Sequence, residues 1–438
     1  MQRVLSYEQT PPLAVPLRFF LTAPMFALAA ALLLLWYGDA ALSSRWTAPA
    51  LALTHLLTLG FLGLCMIGSV LQIMPVIAGV EVPRPGLTAS LVHLLLSVGA
   101  ATLSLAFLLM ERVLFLAALL LVGAAFGAFL FACWLGLKGV ESENVTLSAV
   151  RLALVSLAVT LALGITLGSA FAWPMALPMP KLTNLHASWG LAGWVGLLVI
   201  AVAFQVVPMF QVTEIYPRLV TRWLGRAVFA MVGLATLSAA ILPDTLYVSG
   251  IFSVATALFY LAFGVLTWHL IWHRKRPKSD PTTFFWYAGL ASLIAASLLF
   301  ILAELYPPLG SHSAYPLGLG VLFIVGFAYS VVNGMLYKIV PFLVWYHLQD
   351  KLFESGMKAP NVRQVISEAA ARRQFIAHAA ALFLLLAAVI WPGRHLERLA
   401  GLGFLVSSLW LWLNLLGAAN VYRTHLAKAK ALSSTTPA

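Results

Sequence analysis

Residues 60–75 read GFLGLCMIGSVLQIMP, and this segment recurs in outline twice later in the chain. Residues 193–208 and 326–341 also begin with a glycine followed by an aromatic residue. Each segment ends in proline, and the interval from Pro75 to Pro208 equals the interval from Pro208 to Pro341. A pattern that returns at a fixed period indicates an internal repeat.

A second match has almost the same offset. Residues 98–104 read VGAATLS and residues 232–238 read VGLATLS, and their offset exceeds the proline interval by a single position. Glycine and proline are frequent in membrane helices, so either match alone is weak. Two matches with nearly equal offsets favour a true repeat.

The composition excludes a soluble protein. Hydrophobic residues make up 62% of the 438 residues, charged residues only 9%, and the mean hydropathy is +0.96. Apolar runs of about 20 residues, the length that crosses a bilayer, recur between short polar segments. We predict an all-α integral membrane protein with twelve spans, at 17–37, 47–79, 86–110, 112–137, 147–172, 182–211, 219–242, 246–272, 282–303, 316–346, 373–391 and 398–420.

The period of the repeat contains four predicted helices. An even number of crossings returns the chain to the same side, so the repeats should be parallel rather than inverted. We therefore predict one membrane domain over residues 1–438, with repeats at about 17–140, 147–275 and 282–420. The second, sixth and tenth helices are expected to be the longest.

The charge distribution predicts the orientation. If the N-terminus is cytoplasmic, the cytoplasmic segments hold 20 of the 26 lysine and arginine residues and the opposite face holds five. This bias is typical of the cytoplasmic side, so both termini are expected there. It also accounts for the net charge of +12 through contact with lipid headgroups, so the lipid bilayer is the expected partner and nucleic acid is not.

Two histidines are the strongest candidates for cofactor binding. His55 and His186 lie toward the outer ends of the second and sixth helices, five and seven residues before the repeat glycines Gly60 and Gly193. Two neutral imidazoles that face each other can ligate a haem iron or a copper ion. The alternative is that each histidine hydrogen-bonds to a neighbouring helix.

Other polar residues lie within predicted spans. His93 and His378, in the third and eleventh helices, could hold a second metal site or bridge helices. Three further residues precede the repeat prolines by three positions and predict a polar ring near the inner face: Gln72, Gln205 and Lys338. We expect Lys338 to extend to the cytoplasmic surface, and a role at the mouth of a pore is the alternative.

The arrangement resembles subunit I of the haem–copper oxidase superfamily. The residues that carry the resemblance are 54–61 (THLLTLGF) and 184–190 (NLHASWG). In that superfamily the second helix carries a low-spin haem ligand and the sixth a copper ligand, which match His55 and His186. The string from His55 to Gly60, with Met66 and Gly68, also looks like the NnrS-type membrane proteins, a haem- and copper-associated branch linked to nitric oxide stress in denitrifying bacteria.

The resemblance also implies what this chain cannot do. The superfamily's active site needs two adjacent histidines in helix 7 and a His-x-His in helix 10, and neither is present. We therefore expect no oxygen-reductase activity. The chain has no CxxCH motif for covalent haem, so any haem would be haem b, with copper as the other candidate.

The resemblance favours a haem- or copper-binding protein of the bacterial inner membrane. Its role would be in electron transfer, metal handling or the response to nitrogen oxides, with a respiratory-chain or other redox protein as the partner. Two other functions stay open: a small-solute transporter lined by the polar ring, and an assembly factor for a respiratory complex.

Overall fold

The computed structural model describes residues 10–140, 144–243, 246–353 and 357–435. These residues form helices and connecting segments without a strand. Twelve helices within them are long and apolar enough to cross a membrane, which confirms the all-helical prediction and the number of spans. They are α1 (Ala14–Ser43), α2 (Ala48–Val76), α3 (Pro85–Leu109), α4 (Arg112–Leu137), α5 (Val145–Ala172), α6 (Met179–Gln211), α7 (Arg218–Ile241), α8 (Val248–Trp272), α9 (Pro281–Leu305), α10 (Ala314–Phe353), α11 (Glu368–Ile390) and α12 (Arg394–Thr435).

Three helices lie at the centre of the molecule. In α2, α6 and α10, 72% of the most apolar 18-residue stretch is buried, against 28–44% in the other nine helices. The outer helices pack in chain order around them, and α12 packs along α1 to close the ring. The outer helices therefore present apolar side chains to lipid, while the central helices provide the core.

Each central helix contains a π-helical segment, in which the hydrogen bonds run to the fifth residue rather than the fourth. The segments are Leu56–Gly63 in α2, Ser188–Gly196 in α6 and Val321–Tyr329 in α10. π-Helical hydrogen bonding is rare, and where it interrupts an α-helix it is frequently found at a functional site. Their first residues are spaced along the chain almost as evenly as the three prolines.

A glycine in each π-helical segment allows close approach of the helix that precedes it in the chain. The pairs are Gly60 with Phe26, Gly193 with Ser156, and Gly326 with Ser292. A Cβ atom at Gly193 would lie 2.8 Å from the Ser156 Cβ, and one at Gly326 would lie 2.5 Å from the Ser292 Oγ. Any larger residue would push these helices apart.

The prediction that the second, sixth and tenth helices are the longest is wrong, because α12 is longer than all three. This helix has 42 residues and ends at Thr435, well beyond the predicted end of the span at residue 420. Hydropathy marks only the part within the membrane. The sequence after it is rich in alanine, lysine and leucine and has no glycine or proline before Thr435, so the helix continues outside the membrane.

Candidate metal or cofactor site

His55 lies at the junction between the α-helical and π-helical parts of α2. Its Nδ1 is 2.8 Å from the carbonyl oxygen of Leu51, one turn earlier. The ring stacks on Phe107 of α3, with the ring centroids 5.1 Å apart. Phe107 contacts Phe115 and Phe171 edge to face, so an aromatic cluster from α3, α4 and α5 forms the wall beside His55.

His186 lies two residues before the π-helical segment of α6. Its Nδ1 is 3.0 Å from the carbonyl oxygen of Thr160 in α5. The imidazole passes over Gly164, also in α5, where a Cβ atom would lie only 2.9 Å from the Cε1 of the ring. Two features of α5 therefore position this imidazole: the carbonyl of Thr160 holds its Nδ1, and Gly164, which has no side chain, leaves room for the ring.

The two imidazoles share one tautomer. A carbonyl oxygen can only accept a hydrogen bond, so Nδ1 carries the proton in both neutral rings and Nε2 keeps its lone pair. The structure gives neither Nε2 a hydrogen bond to any described residue. An Nδ1–H held by a backbone carbonyl is the usual arrangement of a histidine that binds a metal through Nε2.

Among the described residues no hydrogen bond or ring contact joins His55 to His186; each imidazole is instead positioned by a backbone carbonyl, one in α2 and one in α5. Within the described residues, no group of three or more His, Cys, Asp or Glu side chains could hold a metal ion. A metal bound by protein side chains alone usually has three or four ligands, whereas a haem iron needs only axial ones. This donor set therefore fits haem better than a bare copper ion.

A polar contact joins the two histidine-bearing helices at their outer ends. Arg45, just before α2, donates a hydrogen bond to the Oδ1 of Asn184 in α6, at 2.8 Å. The guanidinium carbon of Arg45 also lies 4.5 Å from the ring centroid of Trp46. Partial burial lowers the pKa of Arg45, but a guanidinium stays charged at neutral pH. A fixed cation is thus bound to α6 at Asn184, two residues before His186.

His93 does not join the pair. Its Nε2 is 2.9 Å from the Oγ1 of Thr22, and its ring meets Phe19 edge to face. Both partners are in α1, so His93 bridges α3 to α1, as one of the two interpretations expected. Along α3, His93 and Phe107 are separated by roughly four turns, which corresponds to about 21 Å. A metal bound by His93 stays a prediction, and His55 is too distant to bind the same metal.

Lys338 has a partner that the sequence did not predict. Its Nζ is 2.6 Å from the Oδ2 of Asp280, the residue that caps α9, and its side chain is only 22% exposed. Burial of Asp280 opposes its ionisation, but the charge of Lys338 and hydrogen bonds from Lys338 and Thr282 hold the pKa of Asp280 below its ordinary value. Lys338 is thus held in an ion pair rather than extended freely into water.

The other two members of the predicted polar ring differ from Lys338. Gln72 is buried, and its Oε1 has no hydrogen-bond partner in the described part of the chain. Gln205 is half-buried. Across the described ranges no hydrogen bond links Gln72, Gln205 and Lys338 to one another. A ring formed by these three side chains stays a prediction.

Comparisons with known proteins do not add to this assignment. No protein-family model matches the chain, and no curated protein is significantly similar to it. The resemblance to oxidase subunit I and the NnrS-type proteins therefore depends on the residues themselves. What the structure shows is an all-helical protein whose described residues include twelve helices of membrane-spanning length.

Proposed function

We propose that this protein binds one haem b between α2 and α6, where the Nε2 atoms of His55 and His186 would hold the iron. The observation that carries the proposal is the shared geometry of the two imidazoles. Each Nδ1–H is fixed by a backbone carbonyl, and each Nε2 lacks a partner among the described residues. Copper bound by the same two nitrogens is the alternative.

The surroundings of the pair suit such a group. Phe107, Phe115 and Phe171 supply apolar contact on the His55 side. Arg45 supplies a fixed positive charge near the outer end of α6, where it could meet an anionic group. The haem would supply a one-electron redox centre. The protein's part is to hold the ligand tautomers, to exclude water and to set the charge nearby.

A haem held by both histidines would supply electron transfer rather than the binding and reduction of oxygen or nitric oxide. We infer electron transfer with a respiratory-chain or other redox protein as the role. The absence of a histidine pair in α7 and of a His-x-His in α10 supports a function other than oxygen reduction.

The proposal includes three parallel four-helix repeats, as in oxidase subunit I. It is supported by the π-helical segments at near-equal intervals and by the glycine contacts of all three central helices. The excess of lysine and arginine on one face supports cytoplasmic termini, and the resemblance to the oxidase and NnrS-type proteins supports a bacterial inner membrane. In this orientation His55 and His186 lie toward the outer face.

Cofactor analysis of the purified protein tests the proposal. Haem is measured by the pyridine haemochrome method, and copper in the same sample by mass spectrometry. We expect about one haem b per chain, lost in His55→Ala and in His186→Ala. His93→Ala is the matched control and should keep the haem. Copper in place of haem, lost in the same two variants, would assign the site to the metal ion instead. Wild-type protein that stays free of both, after expression with haem and copper supplied, would overturn the assignment.

A further inference from the structure

Buried polar atoms without partners are concentrated in one part of the molecule. Eight buried side-chain oxygen or nitrogen atoms in the described residues have no hydrogen bond. Four of the eight belong to three residues on α10 and α11: both amide atoms of Asn333, the Oε1 of Gln374 and the Nδ1 of His378. Each of these residues is fully buried. Leaving four such atoms dry would cost a free energy comparable to the whole stability of a typical domain.

His378 and its neighbours form the layer of this region that lies farthest from the face predicted to be cytoplasmic. Its Nε2 is 2.7 Å from the Oγ of Ser330 in α10, and its ring stacks on Tyr329 with the centroids 5.3 Å apart. The hydroxyl of Tyr329 is 3.2 Å from the Oγ of Ser408 in α12. Three helices thus contribute polar atoms at this depth, and only the Nδ1 of His378 is left without a partner among the described residues of this layer.

Polar residues continue from this layer toward the face predicted to be cytoplasmic. One turn along, Gln374 donates to the Oγ of Ser407 at 3.0 Å, and Asn333 lies on α10 one turn after Ser330. A further turn along α10, the hydroxyl of Tyr337 accepts a hydrogen bond from Asn414 at 2.9 Å. Ser330, Asn333 and Tyr337 thus follow one another at helical spacing along α10, although Asn333 has no hydrogen bond to the other two.

These polar residues of α10 end at a solvent-exposed pocket. A cavity of about 70 Å³ is lined by Tyr337, the Lys338–Asp280 ion pair and residues of the connection before α11, including Ile366. A single water needs only about 10–15 Å³ of such space, so the cavity admits several. Tyr337 lines this cavity and also contacts Asn414, so it links the pocket to the buried polar residues.

We propose that ordered water enters between α10, α11 and α12, and forms a half-channel from the Lys338–Asp280 pocket to His378. Water is the ligand that both donates and accepts, as the Asn333, Gln374 and His378 atoms require. The half-channel gives water, and protons carried by it, access to a buried imidazole.

Aromatic rings close the half-channel at its buried end, beside His378. Tyr329 stacks on Phe61 of α2 at 4.1 Å, and Phe404 lies edge to face against His378 at 6.0 Å. Phe61 belongs to the π-helical segment that begins next to His55. The half-channel thus ends beside the helix that carries His55, but it does not depend on a metal there.

Cysteine accessibility tests this proposal on the full-length protein in membrane vesicles. In a background with Cys65→Ala and Cys133→Ala, Asn333→Cys is treated with 2-aminoethyl methanethiosulfonate from one face at a time, while free cysteine on the other face removes reagent that crosses the bilayer. Leu336→Cys is the control, because Leu336 is 2% exposed and lies on the same helix between Asn333 and Tyr337. The reactive thiolate forms only in contact with water, so Asn333→Cys should react about tenfold faster than the control, from the lysine- and arginine-rich face.

Two further variants test the same proposal, so that it does not depend on Asn333→Cys alone. Gln374→Cys, compared with Leu382→Cys in α11, repeats the test if Asn333→Cys does not fold. Ile366→Trp enlarges a side chain at the pocket and should slow the reaction of Asn333→Cys. Reporter thiols that react as slowly as their leucine controls, or a rate that Ile366→Trp leaves unchanged, would overturn the proposal. Neither outcome bears on haem or copper content, so the two proposals fail independently.

Discussion

The Nζ of Lys338 and the Oδ2 of Asp280 are 2.6 Å apart, although the two residues are 58 positions apart in the chain. This ion pair joins the middle of α10 to the first residue before α9. Both side chains are mostly buried, at 22% and 5% exposed. Because either charge would be poorly solvated alone, the pair holds the two helices in register.

Lys338→Gln should destabilise the protein. The substitution introduces the residue found at the equivalent positions Gln72 and Gln205, and leaves Asp280 with the more distant Arg276, at 3.7 Å. Removing one partner of a buried pair costs roughly 2–5 kcal/mol, and the remaining contacts of Asp280 favour the lower end. Unfolding in mixed detergent micelles measures the change. Adding Asp280→Asn should recover part of the loss, and a double variant less stable than Lys338→Gln would contradict this account.

The contribution of Asp280 to the free energy of unfolding should decrease at low pH. Its pKa is below the ordinary value of 3.8 in the folded protein, so its stabilising effect is fully present above that value. The effect is lost as the pH falls through the lowered pKa. The difference in unfolding free energy between wild type and Asp280→Asn should therefore be constant from pH 8 to about pH 5 and shrink below about pH 3.8. A difference that shrinks already near neutral pH would contradict the ion pair.

Substitution of the repeat glycines should be costly. Gly193→Ala and Gly326→Ala each place a methyl group within 2.8 Å or less of a serine on the preceding helix. Overpacking of this kind costs typically about 1–3 kcal/mol. Gly233→Ala in α7 is the control, because a Cβ atom there meets nothing within 4 Å, and it should be neutral or stabilising. Equal effects of the three substitutions on thermal stability would contradict the close packing.

Gly164→Ala should alter the ligand site without removing a ligand. A methyl group at this position would lie 2.9 Å from the Cε1 of His186 and displace the imidazole. We expect a weaker haem complex, measured as a faster transfer of haem to an apo-haemoprotein scavenger. Gly123→Ala, whose Cβ atom would meet only Ile165 at an ordinary 3.7 Å, is the control. The same transfer rate in both variants would mean that His186 is not held by α5.

Much of the fold could be predicted because it depends on length and apolarity. Twelve apolar runs each demand a helix, since no other local structure satisfies the backbone in lipid. The extension of α12 escaped prediction because helix propensity, and not hydropathy, sets its end beyond the membrane. The π-helical segments also escaped prediction, since their hydrogen-bond pattern has no signature in residues such as Leu56 or Val321.

The candidate site was predictable only in part. The spacing of His55 and His186 before the repeat glycines predicts that they belong to one site, and this stays a prediction. Asp280 was missed because the ion pair joins residues distant in the chain. A lysine inside a span requires a partner, which was the available signal. The tautomers of the two histidines depend on Leu51 and Thr160, whose carbonyls no sequence pattern marks.

The most direct test of the central claim is a reduced-minus-oxidised visible spectrum of the purified wild-type protein. Bis-histidine coordination by His55 and His186 predicts the sharp bands of a low-spin b-type haem, absent from His55→Ala and His186→Ala and retained in His93→Ala. Folded protein whose spectrum has no haem bands, or whose bands survive both substitutions, would contradict the claim.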